Sequence, residues 1–129
     1  MVKKILLTLL VGLCGMTLNA QTNAKLAQRQ KAIQGTYMMT IMPDPKEYGK
    51  YVITADKITS YRWDDARRGW VVEYSAPYKL VYRSKAGYMT GYNIVVKGQY
   101  GTEYFCTGDT DGDGKMDIWH SDSFYYTKL

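Results

Sequence analysis

The chain contains little cysteine, proline or histidine: 129 residues include two cysteines, three prolines and one histidine. Two cysteines exclude the dense disulfide framework of many small secreted domains. One histidine, His120, excludes a zinc site built from several histidines. A Ser-His-Asp hydrolase would depend on His120 as its base, and no nucleophile-elbow motif accompanies it. The sequence also lacks a Gly-rich phosphate loop. We therefore expect no catalytic residues and no enzymatic activity.

The longest hydrophobic run lies at the N-terminus. Residues Ile5–Leu13 follow two lysines and precede the small residue Ala20. Since a transmembrane helix needs about 20 apolar residues, the pattern predicts a signal peptide over residues 1–20 and export to the periplasm or extracellular space. Lipid attachment at Cys14 and a retained N-terminal anchor are the alternatives. Cleavage leaves one cysteine, Cys106, which we expect to pack as a small apolar residue.

The charge is positive but dispersed. The formal net charge is +5, from 17 Lys and Arg against 12 Asp and Glu. No basic run is longer than Arg67-Arg68, so the basic residues are typical of solvated strand faces rather than a nucleic-acid interface. We expect no nucleic-acid partner, and no integral membrane span once the signal peptide is removed.

The rest of the chain changes character at Gly35. Residues Asn23–Gln34 have helical spacing, which predicts a short helix within an N-terminal segment over 21–34. Residues 35–129 are rich in Tyr, Val, Ile, Thr and Trp with regularly recurring turn residues, which predicts one all-β domain of antiparallel strands. The predicted strands are Thr36–Met42, Lys50–Thr54, Lys57–Trp63, Trp70–Tyr74, Tyr78–Ser84, Met89–Lys97, Glu103–Thr107, Asp117–His120 and Phe124–Lys128.

Alternation along two of these strands indicates one buried face. Over 78–83, Tyr, Leu and Tyr alternate with Lys, Val and Arg. The preceding run predicts Trp70, Val72 and Tyr74 on the inner face. Short connections between consecutive strands favour a sheet that closes on itself. We therefore predict an antiparallel up-and-down β-barrel of about eight strands, with a β-sandwich as the alternative.

A motif at the start of the first strand supports a barrel. Ile33-Gln34-Gly35-Thr36-Tyr37 follows the predicted helix and resembles the lipocalin entry motif, with Tyr37 where that family has Trp. The strand, tight turn and strand over 51–59 are similar to the continuation in small bacterial lipocalin-like domains. The resemblance implies an eight-stranded barrel with an apolar cavity.

An acidic loop over residues 109–117 carries the clearest site chemistry. Ca²⁺ takes six to eight oxygen ligands, and carboxylates at alternate loop positions converge where a Gly permits a sharp turn. The ligands expected here are Asp109, Asp111, Asp113, the carbonyl of Lys115, and Asp117, with the turn at Gly114. The loop resembles the DxDxDGxxD loops of calcium-binding β-propeller blades, although a single copy excludes a propeller. A solvated, empty turn is the alternative.

These observations favour an exported, non-enzymatic lipocalin-like binding module for a small hydrophobic ligand, with Tyr37, Trp70 and Tyr82 lining a cavity. The first alternative is a structural or protein-interaction module, such as an envelope component or inhibitor, with a filled core and exposed tyrosines. The second is a hydrolase that uses His120 or an acidic pair. The candidate acids are Asp64, Asp65, Glu73 and Glu103.

Overall fold

The computed structural model describes residues 23–83, 91–99, 101–120 and 123–129. The predicted signal peptide and the predicted strand start at Met89 lie outside the described residues. Helix α1 covers residues 23–32, in agreement with the predicted helix. No helix in the four described ranges is long and apolar enough to cross a membrane. The strands are β1 Gly35–Met38, β2 Lys50–Ile53, β3 Lys57–Asp64, β4 Gly69–Arg83, β5 Gly91–Gly98, β6 Gly101–Gly108, β7 Asp117–Trp119 and β8 Tyr126–Lys128, with a 3₁₀ turn over Pro45–Tyr48.

The eight strands form a closed antiparallel barrel in sequence order, which confirms the predicted architecture. Closure comes from β1 and β8, where Tyr37 pairs with Lys128 and Met38 with Thr127. Because consecutive strands alternate in direction, the connections fall at two ends. We call the end with α1 and the β2–β3, β4–β5 and β6–β7 connections the helix end. The end with the other connections is the hairpin end.

The interior is filled mainly by isoleucine and aromatic side chains. Tyr37 is fully buried and donates a 2.7 Å hydrogen bond to the carbonyl of Ile33, which ties the segment after α1 to β1. Phe105 and Tyr126 pack edge-on against Tyr51, with ring centroids 5.2 and 5.0 Å away. The buried apolar cluster consists of Ile33, Tyr37, Met39, Ile53, Ile58, Ile94, Val96, Phe105, Ile118 and Tyr126.

Strand β4 joins two segments that the sequence predicts as separate strands. Its first part pairs with β3 as far as Pro77, which lies opposite Lys57. From Tyr78 onward it pairs with β5 instead. The chain stays extended while its partner changes. Proline, which cannot donate a backbone hydrogen bond, thus lies where one ladder ends and the other begins.

A β-bulge in β4 reverses the orientation of its first residues. Successive residues of β3 pair with Tyr74 and then Val72, so Glu73 is an extra residue in the ladder. The extra residue shifts the alternation by one position. Val72 is 54% exposed, and Trp70 lies beside it on the outer face, where a lysine ammonium covers its ring. The predicted inner-face orientation is therefore wrong for Trp70 and Val72.

The bulge can be tested by making the same valine-to-alanine substitution separately at a buried and at an exposed position. Val96 is 1% exposed within the core, whereas Val72 is 54% exposed. We expect Val96→Ala to lower the free energy of unfolding by about 2 kcal/mol, because it removes buried methyl groups and leaves a cavity. Val72→Ala should change it by less than about 0.5 kcal/mol. Urea denaturation measures both values, and equal losses would contradict the outward placement of Val72.

Candidate functional site

Three carboxylates of the acidic loop converge at the helix end of the barrel, between β6 and β7. Asp109, Asp111 and Asp117 each offer an oxygen, and these oxygens lie within 4.8 Å of one another. Carboxylate oxygens at this spacing are suited to a hard divalent cation. This group of three can therefore hold a metal ion.

Asp117 is the fixed member of the group because strand β7 begins at it. Its side chain is fully buried and accepts 2.8 and 2.6 Å hydrogen bonds from the backbone N–H and hydroxyl of Thr110. Its other oxygen accepts a 2.6 Å hydrogen bond from the Thr127 hydroxyl on β8. Three donors satisfy the buried carboxylate and hold it between the loop and the closing strand.

Asp109 is held by the turn itself. Its two oxygens accept hydrogen bonds from the backbone N–H groups of Gly112, at 2.9 Å, and Gly114, at 2.8 Å. Both glycines have positive φ, +75° and +81°, a conformation that L side chains rarely adopt. The Gly114 N–H is the main cause of a lowered pKa at Asp109. The loop thus keeps this carboxylate ionised.

The other two predicted ligands lie on the loop surface. Asp113 is exposed and accepts a 2.8 Å hydrogen bond from the backbone N–H of Lys115. Neither residue belongs to the group of three converging carboxylates. His120, which occupies the twelfth position counted from Asp109, lies at the hairpin end of β7.

A second polar cluster, which we call the hairpin-end network, surrounds Glu103 on β6. One oxygen of Glu103 accepts a 2.9 Å hydrogen bond from the Tyr74 hydroxyl, and the other lies 3.0 Å from Nε2 of His120. Nδ1 of His120 lies 3.1 Å from the carbonyl oxygen of Tyr104. Since both ring nitrogens face acceptors, contact with Glu103 raises the pKa of His120, and contact with His120 lowers the pKa of Glu103.

The hairpin-end network borders an open cleft of about 870 Å³ between the first half of β4 and the β5–β6 hairpin. Glu73 and Glu103 both line it, together with Tyr74. The bulge explains the placement of Glu73, because as the extra residue of β4 it lies beside the inward-facing Tyr74 and lines the same cleft. The remaining lining residues are Ser75, Ala76, Pro77, Val96, Lys97, Gly98, Gln99, Gly101 and Thr102.

The other two candidate acids do not reach the cleft. Asp64 accepts backbone hydrogen bonds from Ala66 and Arg67 in the β3–β4 turn. Asp65 accepts a 3.0 Å hydrogen bond from the indole N–H of Trp63. These contacts give both carboxylates structural roles in the turn. The pairing of Glu73 with Glu103 at one cleft depends on the bulge, which no local motif in the sequence signals.

Comparison of the chain with protein-family models, with curated proteins and with solved structures finds no match in any of the three. The lipocalin and propeller-loop resemblances therefore remain expectations from short motifs. The barrel, the converging carboxylates and the cleft are the features from which a function can be argued.

The pair of His120 and Glu103 should stabilise the fold in a limited pH range. Because the pKa of His120 is raised in the folded protein, His120 contributes to the free energy of unfolding. This contribution is complete below pH 6.5, the ordinary pKa of histidine, and is lost as pH rises through the raised pKa. Because the pKa of Glu103 is lowered, Glu103 also contributes to the free energy of unfolding. Its contribution is complete above pH 4.5, the ordinary pKa of glutamate, and is lost as pH falls through the lowered pKa. We expect the stability difference between wild type and His120→Gln to be largest between pH 4.5 and 6.5.

Urea denaturation of both proteins from acid to alkaline pH measures this difference. The His120 ring also packs on Phe105, with centroids 4.3 Å apart. His120→Gln also loses this ring contact, which lowers the free energy of unfolding by the same amount at every pH. The ring contact therefore cannot produce a pH maximum in the stability difference. A difference that is constant across the pH range would contradict the ion pair.

Proposed function

We propose that the protein is an exported, non-enzymatic, lipocalin-like binding module that holds a small ligand with an apolar body in the hairpin-end cleft. We further propose that its acidic loop binds Ca²⁺ as a structural ion. The volume and lining of the cleft carry the first proposal. The three converging carboxylates carry the second.

The position of the aromatic side chains favours the cleft over the barrel centre. Tyr37 is packed within the core, Trp70 lies outside, and Tyr82 is 57% exposed. The cleft has about 870 Å³, within the roughly 300–1,000 Å³ typical of small-molecule sites. Ala76, Val96 and the ring of Tyr74 supply apolar contact there. Glu73 and Lys97 offer polar groups that can orient a ligand.

The hydrogen bonds that occupy Glu103 and His120 in the hairpin-end network support a binding role rather than catalysis. Both oxygens of Glu103 already have partners, Tyr74 and His120. The contact with His120 lowers the pKa of Glu103, whereas a general acid for glycoside hydrolysis needs a raised one. The imidazole of His120 lies against Glu103 and the Tyr104 carbonyl, and no serine or cysteine of the described residues bonds to the ring. The Ser123 hydroxyl donates to the His120 backbone carbonyl instead.

Oxygen chemistry and charge favour Ca²⁺ for the loop. Asp109, Asp111 and Asp117 supply three carboxylates, and backbone carbonyls of the loop, such as that of Lys115, are available as further oxygen ligands. Among the described residues, no histidine or cysteine belongs to this group, which disfavours zinc. An ion here would join the loop to β7 through Asp117.

Uptake of a neutral apolar dye, N-phenyl-1-naphthylamine, tests the cleft. We expect dye fluorescence to rise on binding to wild type and to be lost in Thr102→Trp, because an indole at this lining position fills the cleft. The same substitution at Thr40, an exposed residue in the loop after β1, is the matched control and should leave binding unchanged. Absence of binding to wild type, or equal loss in both variants, would contradict the proposed site.

A protein-interaction module is the second candidate, and the outer face of β3 and β4 favours it. Trp63 and Trp70 pack edge-to-face with centroids 5.4 Å apart. The ammonium groups of Lys46 and Lys50 lie 4.9 and 4.5 Å above these two rings. Exposed Val72 lies on the same face. Large aromatic side chains are enriched at protein interfaces, so lack of dye uptake by wild type would favour this alternative.

A further inference from the structure

A groove separate from the hairpin-end cleft lies between α1 and the acidic loop, at the helix end. It has a volume of about 430 Å³. Helix α1 supplies one wall and the loop supplies the other, while the ring of Tyr92 on β5 closes part of the base. Its lining includes Lys25, Arg29, Tyr92, Asp109, Lys115 and Met116.

The charge of the groove is predominantly positive. Lys25, Arg29 and Lys115 line it, against the single carboxylate of Asp109. That carboxylate accepts two hydrogen bonds from its own loop, so part of its charge is already compensated. Within the described ranges, none of the three cations forms an ion pair with a carboxylate. An anion in the groove would therefore meet three cations, none of them engaged in such an ion pair, against one carboxylate.

Arg29 is held in a fixed position with most of its donors unused. Its guanidinium lies 5.0 Å from the centroid of the Tyr92 ring, and Nη1 lies 3.5 Å from the sulfur of Met116. A thioether is a weak acceptor, and it is the only acceptor that the described residues give this guanidinium. The contacts with the Tyr92 ring and the Met116 sulfur hold the group at the groove and leave several of its five N–H donors for a ligand.

Helical spacing brings a second cation to the same groove. Lys25 precedes Arg29 by four residues on α1, so the two side chains share one face of the helix. Lys115 reaches the groove from the loop, where its backbone N–H is bound to Asp113. A planar fork flanked by two ammonium groups is suited to a phosphate or carboxylate, whose oxygens accept paired hydrogen bonds from arginine.

We propose that this groove is a binding site for an oxyanion, either a phosphate or a carboxylate group, held by Arg29 with Lys25 and Lys115 completing its charge. The site lies at the opposite end of the barrel from the cleft and uses none of the cleft residues. The result of an oxyanion-binding experiment is therefore independent of whether the cleft binds a small ligand.

Titration with sodium pyrophosphate, followed by NMR of ¹⁵N-labelled protein, tests the site. The protein is stripped of metal and kept in metal-free buffer, so that an ion on the acidic loop cannot bind the probe. We expect saturable shifts of the Arg29 Nε–H and the Lys115 amide. Arg29→Gln should weaken binding at least about tenfold, because the fork and its charge are lost. Arg29→Lys, which keeps the charge alone, should weaken it less.

Two further variants keep the result interpretable. Lys115→Gln removes a positive charge at an exposed position on the loop and should also weaken pyrophosphate binding. It therefore tests the contribution of charge to binding even if Arg29→Gln fails to fold. Arg62→Gln, at an exposed arginine near the hairpin end, is the matched control and should leave binding unchanged. Absence of saturable shifts in wild type, or equal weakening by Arg62→Gln, would overturn the proposal.

Vesicles distinguish a lipid phosphate from a soluble one. Sedimentation with phosphatidylglycerol vesicles but not with phosphatidylcholine vesicles, reduced by Arg29→Gln, would support a lipid headgroup as the source. Pyrophosphate binding without vesicle binding would support a soluble phosphate or carboxylate ligand. Binding to both vesicle types that Arg29→Gln leaves unchanged would contradict a role for the groove at a membrane.

Discussion

The pairing of β1 with β8 closes the barrel, and without it the sheet would present two unpaired edge strands. Only two residue pairs join these strands, far fewer than join β3 to β4. A backbone hydrogen bond from Leu129 to the Thr36 carbonyl, at 2.9 Å, extends this seam, and one from Lys128 to the Met116 carbonyl, at 2.8 Å, joins β8 to the residue before β7. The Asp117–Thr127 hydrogen bond fixes β8 from its other side. The acidic loop and the seam therefore share one contact, at Thr127, which pairs with Met38 in β1 and donates to Asp117.

This sharing gives a structural reason for a cation at the loop. Asp109 and Asp111 approach Asp117 within 4.8 Å, and like charges at this distance repel one another. A bound Ca²⁺ would replace that repulsion with attraction to one centre. Because Asp117 also accepts from Thr127, order in the loop would be transmitted to the closing strand. The ion would stabilise the barrel without contact with the cleft.

Short-range patterns predicted those parts of the fold that local chemistry determines. Strand alternation and frequent turns were sufficient to predict a closed antiparallel sheet. The spacing of Asp and Gly was sufficient to predict a loop with converging carboxylates. The orientation of Trp70 was not predictable in this way, because one extra residue at Glu73 reverses every side chain before it in the strand. Bulges depend on the neighbouring strand, which a single segment does not reveal.

The remaining site features depend on contacts between distant segments. Glu103 and His120 meet because β6 and β7 are neighbours, and Tyr74 joins them across the barrel end. Arg29 faces the acidic loop only because α1 packs against the helix end. The four-residue spacing of Lys25 and Arg29 could have placed both on one face of α1, but spacing alone does not indicate which surface the helix covers.

Hydrogen exchange of the Lys128 and Leu129 amides, with and without Ca²⁺, tests whether an ion on the acidic loop stabilises the barrel seam. The Leu129 amide donates across the seam to Thr36, and the Lys128 amide donates to Met116 beside β7, so their exchange reports local opening on the two sides of β8. We predict slower exchange at millimolar Ca²⁺ in wild type and in Asp44→Asn, an acidic residue outside the loop, and little change in Asp111→Asn. Exchange rates in wild type that Ca²⁺ leaves unchanged would contradict the account.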